Sequence, residues 1–293
     1  MRVCILGAGG MLGHMLVRTL SNSHDVYGTS KQQWTPDAGL AKFLVREKWL
    51  GRVDAKDITT ITQIFKNQDF DVVINCIGVV KQRASRISDD EMNQINALFP
   101  HELVKVSNSC GARMIHISTD CVFSGNRGDY VETDFPDPVD VYGSSKLAGE
   151  IVDDRNLTIR TSHVGRELSN FTSLFEWILS NRNKQVTGFS KAIYSGLTTF
   201  SLSELISQLL TIGSEITGLV HVASTPITKL KLITELNDRL GLGIKVTVDE
   251  SVVVDRSLHC SQKLQNLGIK PPSWDQMLDL FCKDQASYDF VTR

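Results

Sequence analysis

Residues 1 to 20 read MRVCILGAGGMLGHMLVRTL. MRVCIL is a short continuous apolar run, the signature of a strand buried on both faces. GAGGMLGH follows at once, and MLVRTLSNS then carries apolar residues at helical spacing. Strand, glycine turn, helix is the context that a dinucleotide-binding turn requires. Glycines permit a tight turn and a close approach of backbone to phosphate, while the free N–H groups of a helix N-terminus face the anion. The glycines here are Gly7, Gly10 and Gly13, spaced G-x-x-G-x-x-G, one residue away from the G-x-G-x-x-G form. A structural glycine turn would show the same local pattern. Its place directly after the first strand favours a cofactor cradle built from Gly7, Gly10, Met11, Leu12 and Gly13.

Working outward, HDVYGTS (24–30) is a second strand. In an NAD site its end would offer a carboxylate to the adenosine ribose. Here it ends in Thr29, Ser30 and Lys31, two hydroxyls and a cation, which suits a ribose 2′-phosphate; Lys31 also reads as a solvated loop lysine. Residues 31–50 form a loop with a short strand. Asp54 ends a short strand, and Asp57 or Thr59 caps the helix that follows. DVVINCIGVV (71–80) is a buried strand running into the loop Asn75-Cys76-Ile77-Gly78. Ligands of open parallel sheets bind at the carboxyl ends of the strands, so this loop borders the cofactor. The polar run 81–91 reads as a solvated loop, or as one facing an anion through Lys81, Arg83 and Arg86. A helix spans 92–109 and carries Asn96. ARMIHIS (112–118) is the next strand, followed by Thr119, Asp120 and Cys121. Its terminal hydroxyls stand where a reacting carbonyl would be held.

VYGSSKLAGE (141–150) places Tyr142 and Lys146 four residues apart, on one face of a helix. A free phenol has a pKa of about 10, and a neighbouring cation lowers it, so the pair can act as an acid/base device. By itself the spacing is also that of an ordinary surface pair. LTIRTSHVG (157–165) is a further strand. Strand and helix therefore alternate through residue 165, the pattern of a Rossmann-type doubly wound parallel sheet of the α/β class. Past 166 the pattern changes. Residues 1–165 are expected to form the dinucleotide domain, with a returning strand near 218–224, and 166–293 mainly a smaller mixed α/β substrate domain.

The chain has 293 residues, 41% hydrophobic and 22% charged, with a net charge of −2. That is ordinary for a globular protein and gives no bulk electrostatic case for nucleic acid. No apolar run is long enough to span a bilayer. The six cysteines form no CxxC pair and read as reduced thiols of a cytoplasmic protein. The histidines show no metal-ligand spacing, so no metal is expected.

The glycine turn, Ser-Thr-Asp after a later strand, and Tyr-x-x-x-Lys occur in that order, and together they resemble the extended short-chain dehydrogenase/reductase superfamily. HISTDCVFSG (116–125) followed by VYGSSKLAGE is similar to the dTDP-4-dehydrorhamnose reductase family, which reduces nucleotide-linked 4-keto-6-deoxy sugars. NCIG, QINALFPHEL, LTIRTSHVG, YSGLTT and VDRSLHCSQKLQNLGIKPPSW match further blocks, so the resemblance covers nearly the whole chain. It implies NADP(H) as cofactor, with NAD(H) as the alternative, a nucleotide-sugar substrate, and a monomer or homodimer. It implies that Tyr142 donates the proton and that Lys146 partners it and holds the nicotinamide ribose. Thr119 would bond the substrate carbonyl. Asp54 would lie near the adenine; Asn75, Cys76, Gly78 and Ser118 would border the cofactor. Asp120, Cys121, His163 and Arg256 are the expected substrate contacts. Arg256 would compensate the nucleotide diphosphate, with Arg83 a weaker candidate; a salt bridge of Arg256 with Asp255 is the competing reading. Two positions depart from the family. Cys121 replaces its usual tyrosine and His163 a tryptophan, which puts the identity of the sugar in doubt. Rival readings are an epimerase or dehydratase of the same fold, although a dehydratase's second acid is missing at Cys121, and a non-catalytic NADP-binding regulatory subunit.

Overall fold

The computed structural model describes residues 1–81 and 86–291; Arg83 lies outside them. Its elements in chain order begin β1 (Arg2–Leu6), α1 (Met11–Leu20), β2 (Asp25–Thr29), β3 (Trp49–Leu50), α2 (Ile58–Lys66) and β4 (Val72–Asn75). A long helix follows: α3 (Asp89–Asn93), a π-helical turn (Gln94–Leu98) and α4 (Phe99–Ser109). Then come β5 (Arg113–Thr119), α5 (Val141–Ala148), β6 (Leu157–Thr161), β7 (His163–Val164), α6 (Leu174–Ser180), β8 (Gln185–Phe189), β9 (Ala192–Tyr194) and β10 (Leu197–Thr198). The chain continues with α7 (Thr199–Ile212), β11 (Gly218–His221), β12 (Ile227–Thr228), α8 (Lys229–Leu240), β13 (Lys245–Asp249), β14 (Val254–Asp255), α9 (Gln262–Asn266) and α10 (Trp274–Lys283).

Seven strands form one sheet in the order β3-β2-β1-β4-β5-β6-β11. Every pairing in it is parallel. The order turns back at β1, between β2 and β4, and that switch point opens the crevice where such sheets take ligands. β1 shows why its residues are apolar without interruption. Val3 and Ile5 join the core beneath α1 and α7, while Cys4 and Leu6 join the core on the face of α2 and α4. All four are fully buried. Burying such a side chain contributes about 1.5–3 kcal/mol, and truncating one to alanine costs about 2–5 kcal/mol.

Several boundaries differ from the sequence reading. The run 157–165 is two strands, β6 in the main sheet and β7 paired with β10. The helix expected at 92–109 begins at Asp89, because the Ser88 hydroxyl accepts from Glu91 N and caps it. Asp54 does not end a strand; it follows β3 in a loop. Asp57 is the cap of α2 and accepts from Thr59 N at 3.0 Å. Beyond the main sheet, β12-β9-β14 and β13-β8 form two small sheets against α8. Among the described residues, no helix is long and apolar enough to cross a membrane.

Candidate active site

A cleft of about 610 Å³ lies at the switch point. Its floor is the turn from β1 into α1. Gly7 sits at φ +75°, where a side chain would be strained and would also crowd Ile77. A Cβ on Gly13 would stand 2.2 Å from the Gly7 carbonyl oxygen, so only glycine lets α1 start this close to β1. No side chain caps α1. Its first N–H groups therefore face the cleft with the positive end of the helix dipole. Met11, Leu12 and Gly10 line the same floor.

Ser30 and Lys31 line the cleft at the end of β2. Thr29 lies there too, but its hydroxyl is already engaged, accepting from Gly7 N at 3.2 Å. It pins the glycine turn as an acceptor and keeps its own O–H to donate. Lys31 is 3.2 Å from Asp54, with both side chains well exposed. Such a surface pair contributes only about 0–1 kcal/mol and opens readily. Cys76, Gly78 and Ser118 line the cleft. Asn75 does not: it is fully buried, accepts from Ile77 N and donates to His116, and so shapes the loop from behind.

Tyr142, Lys146 and His163 also line the cleft. α5 carries the first two because Asp140 caps it, accepting from Gly143 N at 2.8 Å. The helix is clamped at both ends. A Cβ on Gly143 would stand 2.2 Å from the Cys121 carbonyl oxygen, and one on Gly149 1.9 Å from that of Asn96. Asn96, in the π-helical turn, is fully buried. It accepts from Val79 N at 2.8 Å and donates to Val79 O and to Ser145 Oγ, both at 3.1 Å. One amide thus ties the loop after β4 to the helix of Tyr142, and π-helical turns are frequent at such places. Helical spacing alone did not reveal this residue's task. The only local signals were Asn96 on an apolar helix and Asp140 just before α5.

The electrostatics differ from the simple pairing expected of Tyr142 and Lys146. Lys146 Nζ donates to the Ile117 carbonyl at 2.7 Å. Burial brings its pKa down to about 8, against the opposing pull of Glu150 and Cys76. Tyr142 is pushed well up by burial and by Cys121 and Asp120, while the neighbouring Thr119 hydroxyl lowers it. The phenol therefore keeps its proton at neutral pH. Burial also drives His163 down to about 4, leaving a neutral ring, and raises Cys121 to about 12.

Thr119, Asp120, Cys121 and Arg256 flank Tyr142 and are not part of the cleft lining. Thr119 Oγ1 donates to Asp120 Oδ1 at 3.1 Å and accepts from Cys121 N at 3.2 Å. Burial raises Asp120, with Thr119 and Arg256 opposing. Arg256 makes no salt bridge with Asp255: its Nε donates to Phe123 O at 3.0 Å, and Asp255 accepts from Ser257 N. Behind β5 lies a buried ionic group. Glu150 takes both arms of Arg160 at 2.8 Å and the Ser118 hydroxyl at 2.7 Å.

The family model described as RmlD substrate binding domain matches residues 1–241. The chain belongs to this family. A probable low-salt glycan biosynthesis reductase of Haloferax volcanii is 28% identical over 86% of this chain and 84% of its own. A dTDP-4-dehydrorhamnose reductase of Mycobacterium tuberculosis is 32% identical over 51% of this chain and 44% of its own. Methionine adenosyltransferase 2 subunit beta of Xenopus tropicalis is 29% identical over 51% of this chain and 41% of its own. Among solved structures, a hypothetical dTDP-4-dehydrorhamnose reductase from Sulfolobus tokodaii superposes with a TM-score of 0.78 at 28% identity, covering 95% of this chain and 98% of that one. The α/β fold is that of these reductases.

Proposed function

We propose that this protein is an NADP-dependent oxidoreductase that reduces the keto group of a nucleotide-activated deoxysugar, a dTDP- or UDP-linked 4-keto-6-deoxyhexose, for glycan or surface-polysaccharide synthesis. The observation that carries this reading is convergence. A glycine turn that only small residues could form and the Ser30–Lys31 end of β2 share one 610 Å³ cleft with Tyr142 and Lys146. The donor set fits a dinucleotide phosphate: uncapped helix N–H groups, and a cradle that Cβ atoms would fill. Ser30 and Lys31, with no carboxylate at the end of β2, favour NADPH over NADH. When bound, the cofactor supplies the hydride.

The chain's own residues do the rest. Tyr142, held protonated by burial, gives its proton to the oxygen of the reacting carbonyl as a general acid. The Thr119 hydroxyl, turned from Asp120 Oδ1, donates a hydrogen bond to that oxygen, and the Lys146 cation offsets the charge that develops there. Asp120, Cys121 and His163 surround the sugar, and Arg256 compensates the nucleotide diphosphate. The cysteine and the neutral imidazole are where the choice of sugar is made.

The test is a screen of dTDP-, UDP- and GDP-linked 4-keto sugars, following NADPH absorbance with wild type and Tyr142→Phe. Stoichiometric NADPH consumption with one sugar, lost in the variant, supports the reading and excludes an epimerase, which would regenerate its cofactor. The match to the methionine adenosyltransferase subunit favours a second reading, a regulatory NADP-binding subunit. No oxidation with any sugar, and no effect of Tyr142→Phe, would overturn the enzyme reading and leave this one standing.

A further inference from the structure

Residues 284–290 lie beyond the part of the chain that the family model matches. They pack where α1 meets the loop 166–173. On the α1 side, His14 is fully buried. Its Nδ1 is 2.8 Å from the Gly10 carbonyl oxygen, which can only accept, so Nδ1 carries the proton. Burial, with the charges of Arg18 and Arg166, drives the imidazole down to about 4, so the ring is neutral. Its Nε2 therefore accepts from the Tyr288 hydroxyl at 2.7 Å. The Tyr288 oxygen in turn accepts from Arg18 Nη1 at 3.0 Å, and Arg18 forks onto Asp284 at 2.8 and 2.6 Å. Arg18 Nη1 thus serves both Asp284 and Tyr288, and the chain ends on the carbonyl of the glycine turn.

The same segment grips the facing loop. Arg166 lies 5.1 Å from the centroid of the Tyr288 ring, and its Nη1 donates to Gln285 at 3.1 Å. Its Nε donates to Glu176 Oε1 at 2.8 Å, the same oxygen that accepts from Glu167 N. Glu167 opens the loop whose Ser169, Asn170 and Thr172 line the cleft. Tyr288 thus touches both sides: the cradle through His14 and the opposite loop through Arg166.

We propose that residues 284–290 form a strap tying the glycine turn to loop 166–173, with the Tyr288 hydroxyl as a positioning residue for the dinucleotide. The inference rests on the reading of the cleft as a dinucleotide site. A phenylalanine at 288 keeps the ring but leaves His14 Nε2 buried without a donor. One such bond sets an equilibrium by a few-fold to about tenfold.

The test uses the full chain carrying Tyr288→Phe, Gln285→Met, His14→Gln, or Tyr288→Phe with His14→Gln. Hydrogen exchange is followed by mass spectrometry on peptides from the glycine turn, from loop 166–173 and, as control, from β6. The strap requires exchange about three- to tenfold faster at the turn and at the loop in Tyr288→Phe, with the β6 peptide unchanged. Gln285→Met should loosen the loop alone. The double variant should fall short of the sum of the two single ones, because both remove the Tyr288–His14 bond. NADPH, titrated by fluorescence without any sugar, should bind about three- to tenfold more weakly to Tyr288→Phe. Unchanged exchange at both walls, or an equal rise in the β6 peptide, would overturn the strap. Wild-type protein that failed to bind NADPH would remove the cofactor reading, while the exchange data would still decide the strap.

Discussion

The two walls of the cleft are held in different ways. The glycine-turn wall stands on β1, β4 and β5, strands of five, four and seven residues, each paired on both sides. Its one left-handed residue at the cleft is a glycine, Gly7. The facing wall is the loop 166–173 after β7, a strand of two residues paired with the two-residue β10. There Asn170 and Phe171 hold positive φ without being glycine. Such backbone is kept only where its surroundings impose it, and it concentrates at binding segments. The difference teaches a division of labour. Under the proposed function, rigid pairing would fix the chemistry and the sparsely paired wall would shape the recognition of the sugar.

The sharpest way to break this contrast is Tyr142→Phe. Removing the proton donor should lower kcat by about 10²–10⁴ and leave NADPH affinity within about twofold, read by steady-state kinetics and titration. An equally large loss from His163→Ala would erase the distinction between the walls. Next is Glu150→Gln, behind the rigid wall. It leaves Arg160, 3% exposed, with an uncompensated buried charge. Urea unfolding should show a loss of about 3–5 kcal/mol, whereas Lys31→Ala, at an exposed pair, should change stability by under about 1 kcal/mol.

A pH profile tests the same wall more gently. The Lys146 pKa is depressed to about 8, so its cation is present below that pH and lost above it. kcat should therefore fall as pH rises through about 8, approaching tenfold per pH unit on the alkaline limb, and Lys146→Arg should move that limb upward. The smallest effect belongs away from the cleft lining. The Tyr194 hydroxyl is buried without a hydrogen-bond partner. Tyr194→Phe should be neutral or stabilising by about 1 kcal/mol in thermal unfolding.

The sequence made the first wall legible for a physical reason. Strands buried on both faces must be apolar throughout, so MRVCIL and DVVINC stood out, and a turn that excludes Cβ atoms must be written in glycine. Tyr142 and Lys146, on one face by helix spacing, were legible because they follow the glycine turn and Ser-Thr-Asp in order. Other parts were hidden by the nature of their causes. A strand of two residues has no periodicity, so the break between β6 and β7 at Ser162 leaves no pattern. The π-helical turn at Asn96 is set by what the amide reaches 17 residues back in the chain, at Val79. The engagement of the Thr29 hydroxyl with Gly7 N and the raised pKa of Tyr142 come from tertiary burial. The Tyr288–His14 bond spans 274 positions, beyond any local signal.

The clamping of α5 between Gly143 and Gly149 has a consequence for how this protein can diversify. Neither glycine can be exchanged without moving a carbonyl of a neighbouring segment, so the buried face of the helix of Tyr142 has almost no neighbouring sequence to explore. A library aimed at new sugars would waste its members there. The productive positions are the loop 167–173 and His163, where a new side chain meets open cleft or a lightly paired strand. Selection acting on this molecule has the same room, so variation among descendants should gather on that side of the cleft and leave the buried face of the helix almost untouched.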